Sequence, residues 1–141
     1  MDIRALSPLY AVSPQIEPQD MTAIAEAGFV AVIDNRPDGE IPPGLRAATM
    51  RAAAAEAGLG FVELPVTHDT LGPDLAAQQR AAMDEAGGPV LAYCASGTRC
   101  TIVWMLGHAE STPPDELLAA ARAAGYDLGQ VRPTLEHLYR G

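Results

Sequence analysis

A cysteine and an arginine stand five positions apart in the run YCASGTR, residues 93–99. A cysteine thiolate is a good nucleophile, and an arginine guanidinium can hold two oxygens of one anion. A glycine between them tolerates backbone torsions that let successive N–H groups point toward a single anion. We therefore predict that Cys94 is a catalytic thiolate and that Arg99 is catalytic beside it. The predicted substrate-binding residues are Ala95, Ser96, Gly97, Thr98 and Arg99.

The segments on either side of this run predict how it is held. Residues 89–93 (PVLAY) form a short apolar run typical of a buried strand, and residues 100–106 (CTIVWML) favour an apolar helix. A thiol at the start of a helix faces the positive end of the helix dipole, which lowers its pKa below the usual ~8.5. The two elements therefore place Cys94 where a thiolate forms easily.

Strand and helix patterns alternate through most of the chain. This alternation predicts an α/β fold with a mainly parallel central sheet flanked by helices, and the Cys94 loop between a central strand and a helix. Ligands of such sheets bind beyond the carboxyl ends of the strands. We expect residues 1–141 to form a single domain. The predicted strands cover residues 10–13, 29–34, 60–64 and 89–93, and the predicted helices cover residues 18–27, 44–57, 73–86, 100–106, 114–124 and 135–140.

Composition narrows the function classes. The formal net charge is −9 and every basic side chain is arginine, so nucleic acid and membranes are not expected partners. No apolar stretch approaches the ~20 residues of a membrane span, and the first residues do not resemble a secretory signal. Two cysteines are too few for a disulfide framework, and the histidines are scattered. We expect a cytoplasmic protein with no metal and no cofactor.

Two resemblances follow from these residues. The loop CASGTR resembles the Cys-x-x-Gly-x-Arg loop of rhodanese-type sulfurtransferases. The wider chain resembles a bacterial tyrosine-phosphatase-like family, the phosphatase-like domain of β-lactamase-hydrolase-like proteins, whose members are named both as sulfur transferases and as phosphatases. This resemblance implies a tyrosine- or dual-specificity-phosphatase-like fold. It is carried by VSPQI (12–16), GFVAVIDNRPDGE (28–40), LPV (64–66), GPVLAYCASGTR (88–99) and AAGYDL (123–128).

The loop length favours one chemistry over another. Four residues separate Cys94 from Arg99, whereas tyrosine-phosphatase-type loops resemble one another in having about five. The shorter loop predicts a rhodanese-like sulfurtransferase that passes sulfane sulfur through a Cys94 persulfide, with thiosulfate or a thiol persulfide as the small anionic donor. One alternative is a phosphatase that hydrolyses a phosphate ester through a Cys94 phosphocysteine. A second alternative is a non-catalytic domain that binds an anion or a protein, and the family resemblance also implies a persulfide dioxygenase as partner.

Three further residues are accessory candidates. Asp69 follows a predicted strand and is either the general acid that the phosphatase alternative needs or a turn-forming aspartate. Cys100 is either a resolving cysteine for Cys94 or a small buried residue in the first turn of the helix, where the resemblance implies a hydroxyl residue. Arg36 lies in the run NRPDGE at the end of a predicted strand. It either adds positive charge to the site or pairs with a carboxylate of its own run.

Overall fold

Five short strands form one sheet in the computed structural model, which describes residues 1–141. The strands are β1 (Arg4–Ser7), β2 (Tyr10–Ser13), β3 (Ala31–Asp34), β4 (Gly60–Glu63) and β5 (Val90–Tyr93). Their order across the sheet is β1-β2-β5-β3-β4, so β5 is central. Strands β2 to β5 run parallel, and only β1 is antiparallel to its neighbour. The predicted mainly parallel sheet is therefore confirmed.

Three strands end level with one another beneath the site. Tyr93 is the register partner of Ser13 on β2 and of Asp34 on β3. Every residue of β3 and β5 is buried, because helices cover both faces of a parallel sheet. Each fully buried Val or Leu side chain contributes roughly 1.5–3 kcal/mol, so this core holds the strand ends rigidly.

Six α-helices flank the sheet. Along β5, Leu91 and Tyr93 pack in one core cluster with the first two helices, whereas Val90, Ala92 and Cys94 pack in the other cluster with the last three. Cys94 therefore lies on the face covered by the helix that follows its own loop. The helices are α1 (Met21–Glu26), α2 (Ala47–Glu56), α3 (Pro73–Ala86), α4 (Thr98–His108), α5 (Pro114–Ala123) and α6 (Arg132–Leu138).

The structure departs from the predicted elements mainly at their ends. Helices α1 and α2 are shorter than predicted because proline-containing 3₁₀ turns, Pro18–Asp20 and Pro43–Leu45, precede them. Helix α4 is longer than predicted and starts directly after Gly97. The sequence pattern did not predict β1, because an edge strand with only one buried residue lacks the apolar run of a central strand.

None of the six helices combines the length and the apolar character that a membrane crossing requires.

Candidate active site

Cys94 stands at the junction of β5 and the loop that leads into α4. Its residue is 0% exposed, and its Sγ accepts a hydrogen bond of 3.1 Å from the Gly97 N–H. Gly97 has a φ of 93° and is the N-cap residue of α4. This left-handed conformation, which glycine adopts at no steric cost, turns the chain so that its amide faces the sulfur. Buried as it is, the sulfur faces hydrogen-bond donors.

The three carbonyl groups that follow Cys94 all accept hydrogen bonds from other parts of the chain. Their donors are the Gln15 N–H for Ala95 (3.3 Å), the Tyr126 hydroxyl for Ser96 (2.9 Å), and the Thr101 N–H and hydroxyl for Gly97 (3.0 and 2.8 Å). Because a trans peptide directs its C=O and N–H in opposite directions, the bonds to Ala95 and Ser96 leave the Ser96 and Gly97 N–H groups facing the sulfur. Two successive amides directed at one atom form an anion nest.

Hydrogen bonds to the sulfur lower the pKa of Cys94 to about 5. The largest contribution is a hydrogen bond from the Cys100 thiol, and the amide groups of Cys100, Gly97 and Ser96 add to it. Together they outweigh burial, which disfavours the charged sulfur. Burial instead raises the pKa of Cys100 well above its usual range, and both cysteines are free thiols. Cys94 is therefore the ionised member of the pair at neutral pH.

Arg99 is held in place by three hydrogen bonds. Its Nη1 and Nη2 donate to Oε2 and Oε1 of Glu40, each at 2.8 Å, and Nη1 also donates to the Val66 carbonyl at 2.9 Å. A guanidinium has five N–H donors, so Nε–H and one Nη2–H remain without a protein partner. These two point the same way and form a fork whose geometry suits two oxygens of an anion. The Arg99 hydrogen bond in turn holds the pKa of Glu40 below its usual range.

Arg36 reaches the site through Glu40. Its Nε lies 3.3 Å from Oε1 of Glu40, and its Nη1 donates to Oε1 of Gln15 at 3.2 Å. Of the two expectations for Arg36, the structure therefore shows the ion pair within its own run. Because that carboxylate also binds Arg99, Arg36 helps to fix the position of the second arginine. Asp38 of the same run instead accepts the Ala47 N–H at the start of α2 (2.8 Å).

Asp69 lies in an exposed turn beside the site. The turn is closed by hydrogen bonds between Thr67 and Thr70, at 2.8 Å and 3.2 Å in the two directions. It follows Val66, whose carbonyl binds Arg99. The Asp69 carboxylate is exposed and makes no hydrogen bond to the protein, and its role as general acid stays a prediction.

Ser96 and Thr98 bond mainly to each other. The Ser96 hydroxyl donates to Oγ1 of Thr98 at 2.9 Å and accepts the Thr98 N–H at 3.3 Å. The pair lies at the exposed start of α4, and neither hydroxyl bonds to the Cys94 sulfur. The loop residues that donate to the sulfur do so through their backbone N–H groups.

Two residues of the site had no role in the sequence-based prediction. Glu40 is 59 positions from Arg99, and Tyr126 is 30 positions from Ser96. A separation of this size leaves no periodic pattern that could reveal the contact. The run NRPDGE suggested that a carboxylate lies near Arg36, and this was the only feature of the sequence that pointed to Glu40. No feature of the sequence pointed to Tyr126.

A family model and several known proteins match most of this chain. The family model described as "Beta-lactamase hydrolase-like protein, phosphatase-like domain" matches residues 2–111. The beta-lactamase hydrolase-like protein of Xylella fastidiosa is 36% identical over 131 residues, which cover 89% of this chain and 30% of that protein. The protein of the same name from Agrobacterium fabrum is 37% identical over 91 residues. The chain thus spans less than a third of the length of these relatives.

Solved structures give the same fold. A crystal structure of a candidate phosphatase from Neisseria meningitidis has a TM-score of 0.85 and 35% identity, and the match covers 98% of this chain and 99% of that one. TpbA of P. aeruginosa, solved as a cysteine-to-serine variant in complex with phosphotyrosine, has a TM-score of 0.63 at 16% identity over 96% of this chain and 90% of that one, which shows shared fold alone. The predicted phosphatase-like fold is confirmed. The phosphatase alternative fits these matches better than the sulfurtransferase prediction, and neither sulfur donors nor a persulfide dioxygenase partner has support from them.

Proposed function

This chain belongs to the family of phosphatase-like domains of beta-lactamase hydrolase-like proteins, and from that premise we propose that it hydrolyses phosphate monoesters through Cys94. The central observation is the Cys94 sulfur, whose pKa is about 5, in a nest of amide groups. A phosphate group carries several anionic oxygens, which suit both that nest and the free N–H pair of Arg99.

In the first step, the Cys94 thiolate attacks phosphorus and the bond from phosphorus to the ester oxygen breaks. The loop amides and Arg99 hold the remaining phosphoryl oxygens, where charge develops in the transition state. The product is a phosphocysteine and a departing alkoxide or phenoxide. The alkoxide needs a proton. We propose Asp69 as the proton donor, because the turn that carries it follows Val66, whose carbonyl binds Arg99.

In the second step, water attacks the phosphorus of the phosphocysteine. The sulfur–phosphorus bond breaks, inorganic phosphate leaves, and Cys94 returns to its thiolate state. Asp69, deprotonated in the first step, accepts a proton from the attacking water. The low pKa of Cys94 serves this step as well, because a stable thiolate is a good leaving group.

In this proposal residues 1–141 act as one unit. Helices α5 and α6 lie beyond the matched residues 2–111, yet Leu117 and Leu135 are buried in the same core cluster as Cys94. Phosphate esters on small molecules or on tyrosine are the substrate class that we propose.

Sulfur transfer is the second candidate function, favoured by one feature. Only four residues separate Cys94 from Arg99, which matches the rhodanese-like loop described above. In that reaction Cys94 would attack the outer sulfur of a thiosulfate or a thiol persulfide and become a persulfide, and the sulfite or thiolate would leave. The third possibility, an anion-binding or protein-binding domain without catalysis, predicts no turnover of either substrate.

One experiment separates these functions. The wild type, Cys94→Ser and Asp69→Asn are assayed for phosphate release from an aryl phosphate with a good leaving group and from an alkyl phosphate with a poor one. We expect Cys94→Ser to abolish release, and Asp69→Asn to lower it roughly a hundredfold or more for the alkyl ester but less for the aryl ester, which needs less protonation. Asp74→Asn, the same change at an exposed position of α3, is the control.

In parallel, the intact mass is recorded after incubation with thiosulfate. A one-sulfur adduct on Cys94 without phosphate release would replace the phosphatase assignment by sulfur transfer. Phosphate release that persists in Cys94→Ser would remove Cys94 as the nucleophile altogether.

A further inference from the structure

We propose that Tyr126 is a positioning residue, whose hydroxyl orients the Ser96–Gly97 peptide so that its N–H points at the Cys94 sulfur. The inference deepens the proposed function, since it concerns the same loop. Its principal measurement is the ionisation of Cys94, which requires no phosphatase activity.

The Ser96–Gly97 peptide group is held at both ends. Its C=O accepts the Tyr126 hydroxyl at 2.9 Å, and its N–H donates to the Cys94 Sγ at 3.1 Å. Since the peptide is planar and trans, any rotation that frees the carbonyl also turns the N–H away from the sulfur. The hydroxyl therefore fixes a donor that it does not itself touch. Hydrogen bonding at the carbonyl also polarises the N–H and strengthens its donation.

Gly97 and Tyr126 fit each other closely. A Cβ built on Gly97 would lie 2.1 Å from the Tyr126 hydroxyl oxygen, far inside van der Waals contact. The space that a side chain would need at the N-cap of α4 is thus filled by the tyrosine. A glycine is required here for two reasons, its positive φ and this close approach.

The end of α5 delivers Tyr126 to this position. Gly125 has a φ of 98° and closes a Schellman motif, in which its N–H bonds to the Arg122 carbonyl and the Tyr126 N–H bonds to the Ala121 carbonyl, both at 2.9 Å. Ala121 is fully buried, so the helix end is anchored in the core. Tyr126 is itself only 7% exposed.

Arg4 of β1 packs on the outer face of the tyrosine. Its guanidinium carbon lies 5.1 Å from the ring centroid, and its Nη1 donates to the Ala124 carbonyl at 3.2 Å. A cation over an aromatic ring is attractive. Burial raises the pKa of Tyr126 above its usual range, so the hydroxyl keeps its proton and stays a donor. A residue that only filled the core would need neither the hydroxyl nor its proton.

The test removes a single oxygen with Tyr126→Phe, which keeps the packed ring. The rate of Cys94 alkylation by iodoacetamide is measured by intact mass as a function of pH, for wild type, Tyr126→Phe and the matched control Tyr139→Phe. We expect the ionisation midpoint to rise by about one pH unit in Tyr126→Phe, since a hydrogen bond to a charged group is weakened, and to stay unchanged in the control. Inhibition by inorganic vanadate should weaken in the same variant.

Equal midpoints for wild type and a folded Tyr126→Phe would overturn the inference. Should that variant not fold, Arg4→Met decides, because it removes the outer support and keeps the hydroxyl: a smaller upward shift supports the role, and no shift refutes it. If the wild type releases no phosphate and Tyr126→Phe still raises the midpoint, the positioning role stands and the phosphatase proposal fails.

Discussion

Glu40 and Arg99 meet in a bidentate ion pair, with both nitrogen–oxygen distances at 2.8 Å. The carboxylate binds one N–H of each terminal nitrogen, Nη1 and Nη2, and leaves Nε–H and the second Nη2–H free. The pair also includes Arg36, whose Nε lies 3.3 Å from the same carboxylate. One carboxylate in a strongly acidic chain therefore has two cationic partners, and it fixes the orientation of Arg99, the arginine that we propose as the anion-binding residue.

The first prediction concerns Glu40→Gln. An amide has one acceptor oxygen in place of two, so Arg99 loses the constraint that aims its free N–H pair at the substrate. We expect kcat/KM for an aryl phosphate to fall roughly tenfold to a hundredfold, the cost of a misplaced catalytic group. Steady-state kinetics measures it, with the exposed Glu26→Gln on α1 as the control. Equal losses in both variants would show that Glu40 has no special role.

The second prediction is the ionisation of Cys94. Its pKa of about 5 means that the thiolate predominates above that pH, so the rate of alkylation should rise as the pH increases through about 5 and then level off. Labelling should be lost in Cys94→Ser, because burial raises the pKa of the other thiol, Cys100. An alkylation midpoint near the ordinary thiol value of ~8.5 would contradict the described hydrogen bonds.

The third prediction compares two substitutions of Cys100. Its thiol gives the largest contribution to the lowered pKa of Cys94. Cys100→Ala removes that donor, so the alkylation midpoint should move upward by about one to two pH units. Cys100→Ser supplies a stronger donor and should leave the midpoint at or below that of the wild type. If alanine and serine give the same midpoint, the side chain at this position is not a donor to Cys94.

The fourth prediction concerns oxidation of the cysteine pair. Peroxide oxidises the Cys94 thiolate to a sulfenic acid with loss of hydroxide, and the Cys100 thiol then attacks that sulfur and expels water, which leaves a disulfide. We expect mild hydrogen peroxide to give a product lighter by two hydrogens that dithiothreitol restores. The matched variant Cys100→Ala should instead gain oxygen atoms at Cys94. Peptide mapping under non-reducing conditions that finds only over-oxidised or intermolecular Cys94 in the wild type would refute a resolving role.

The fifth prediction concerns a buried carboxylate under the loop. Asp34 is 0% exposed, and its Oδ1 accepts the Arg36 N–H at 2.8 Å. Burial raises its pKa to about 6, above the ~3.9 of an unfolded chain. The folded state therefore binds more protons than the unfolded state between these values, and stability falls as the pH rises through that window.

Asp34→Asn removes this cost and keeps the acceptor for the Arg36 N–H. We expect it to raise the free energy of unfolding by roughly 1–3 kcal/mol at about pH 8, and by less at about pH 5. Urea denaturation at the two pH values measures the difference, with the exposed Asp127→Asn as the control. A gain that is the same at both pH values would mean that the charge of Asp34 is not its cause.

The sequence by itself determined the order of elements around Cys94 and the nature of the loop. A continuous apolar run predicts β5, and a glycine comes directly before α4. Helices α3 and α5 each begin at a proline and are followed by a glycine. These signals are visible in the sequence because backbone preferences and hydrophobic periodicity act over a few residues. The boundaries of β2 and α3 match their predicted residues for the same reason. Loop length is also a local property, but it favoured sulfur transfer, whereas the comparisons favour a phosphatase.

Only the tertiary structure decided which side chains complete the site. Glu40, Val66 and Tyr126 come from three different connections, and they meet the loop because parallel strands end at one edge and α5 ends beside it. The burial of Cys100 in the same core cluster as Cys94 and the burial of Asp34 depend in the same way on packing against neighbouring elements. Contacts between segments that are distant along the chain arise from strand register and helix packing, which no local pattern records.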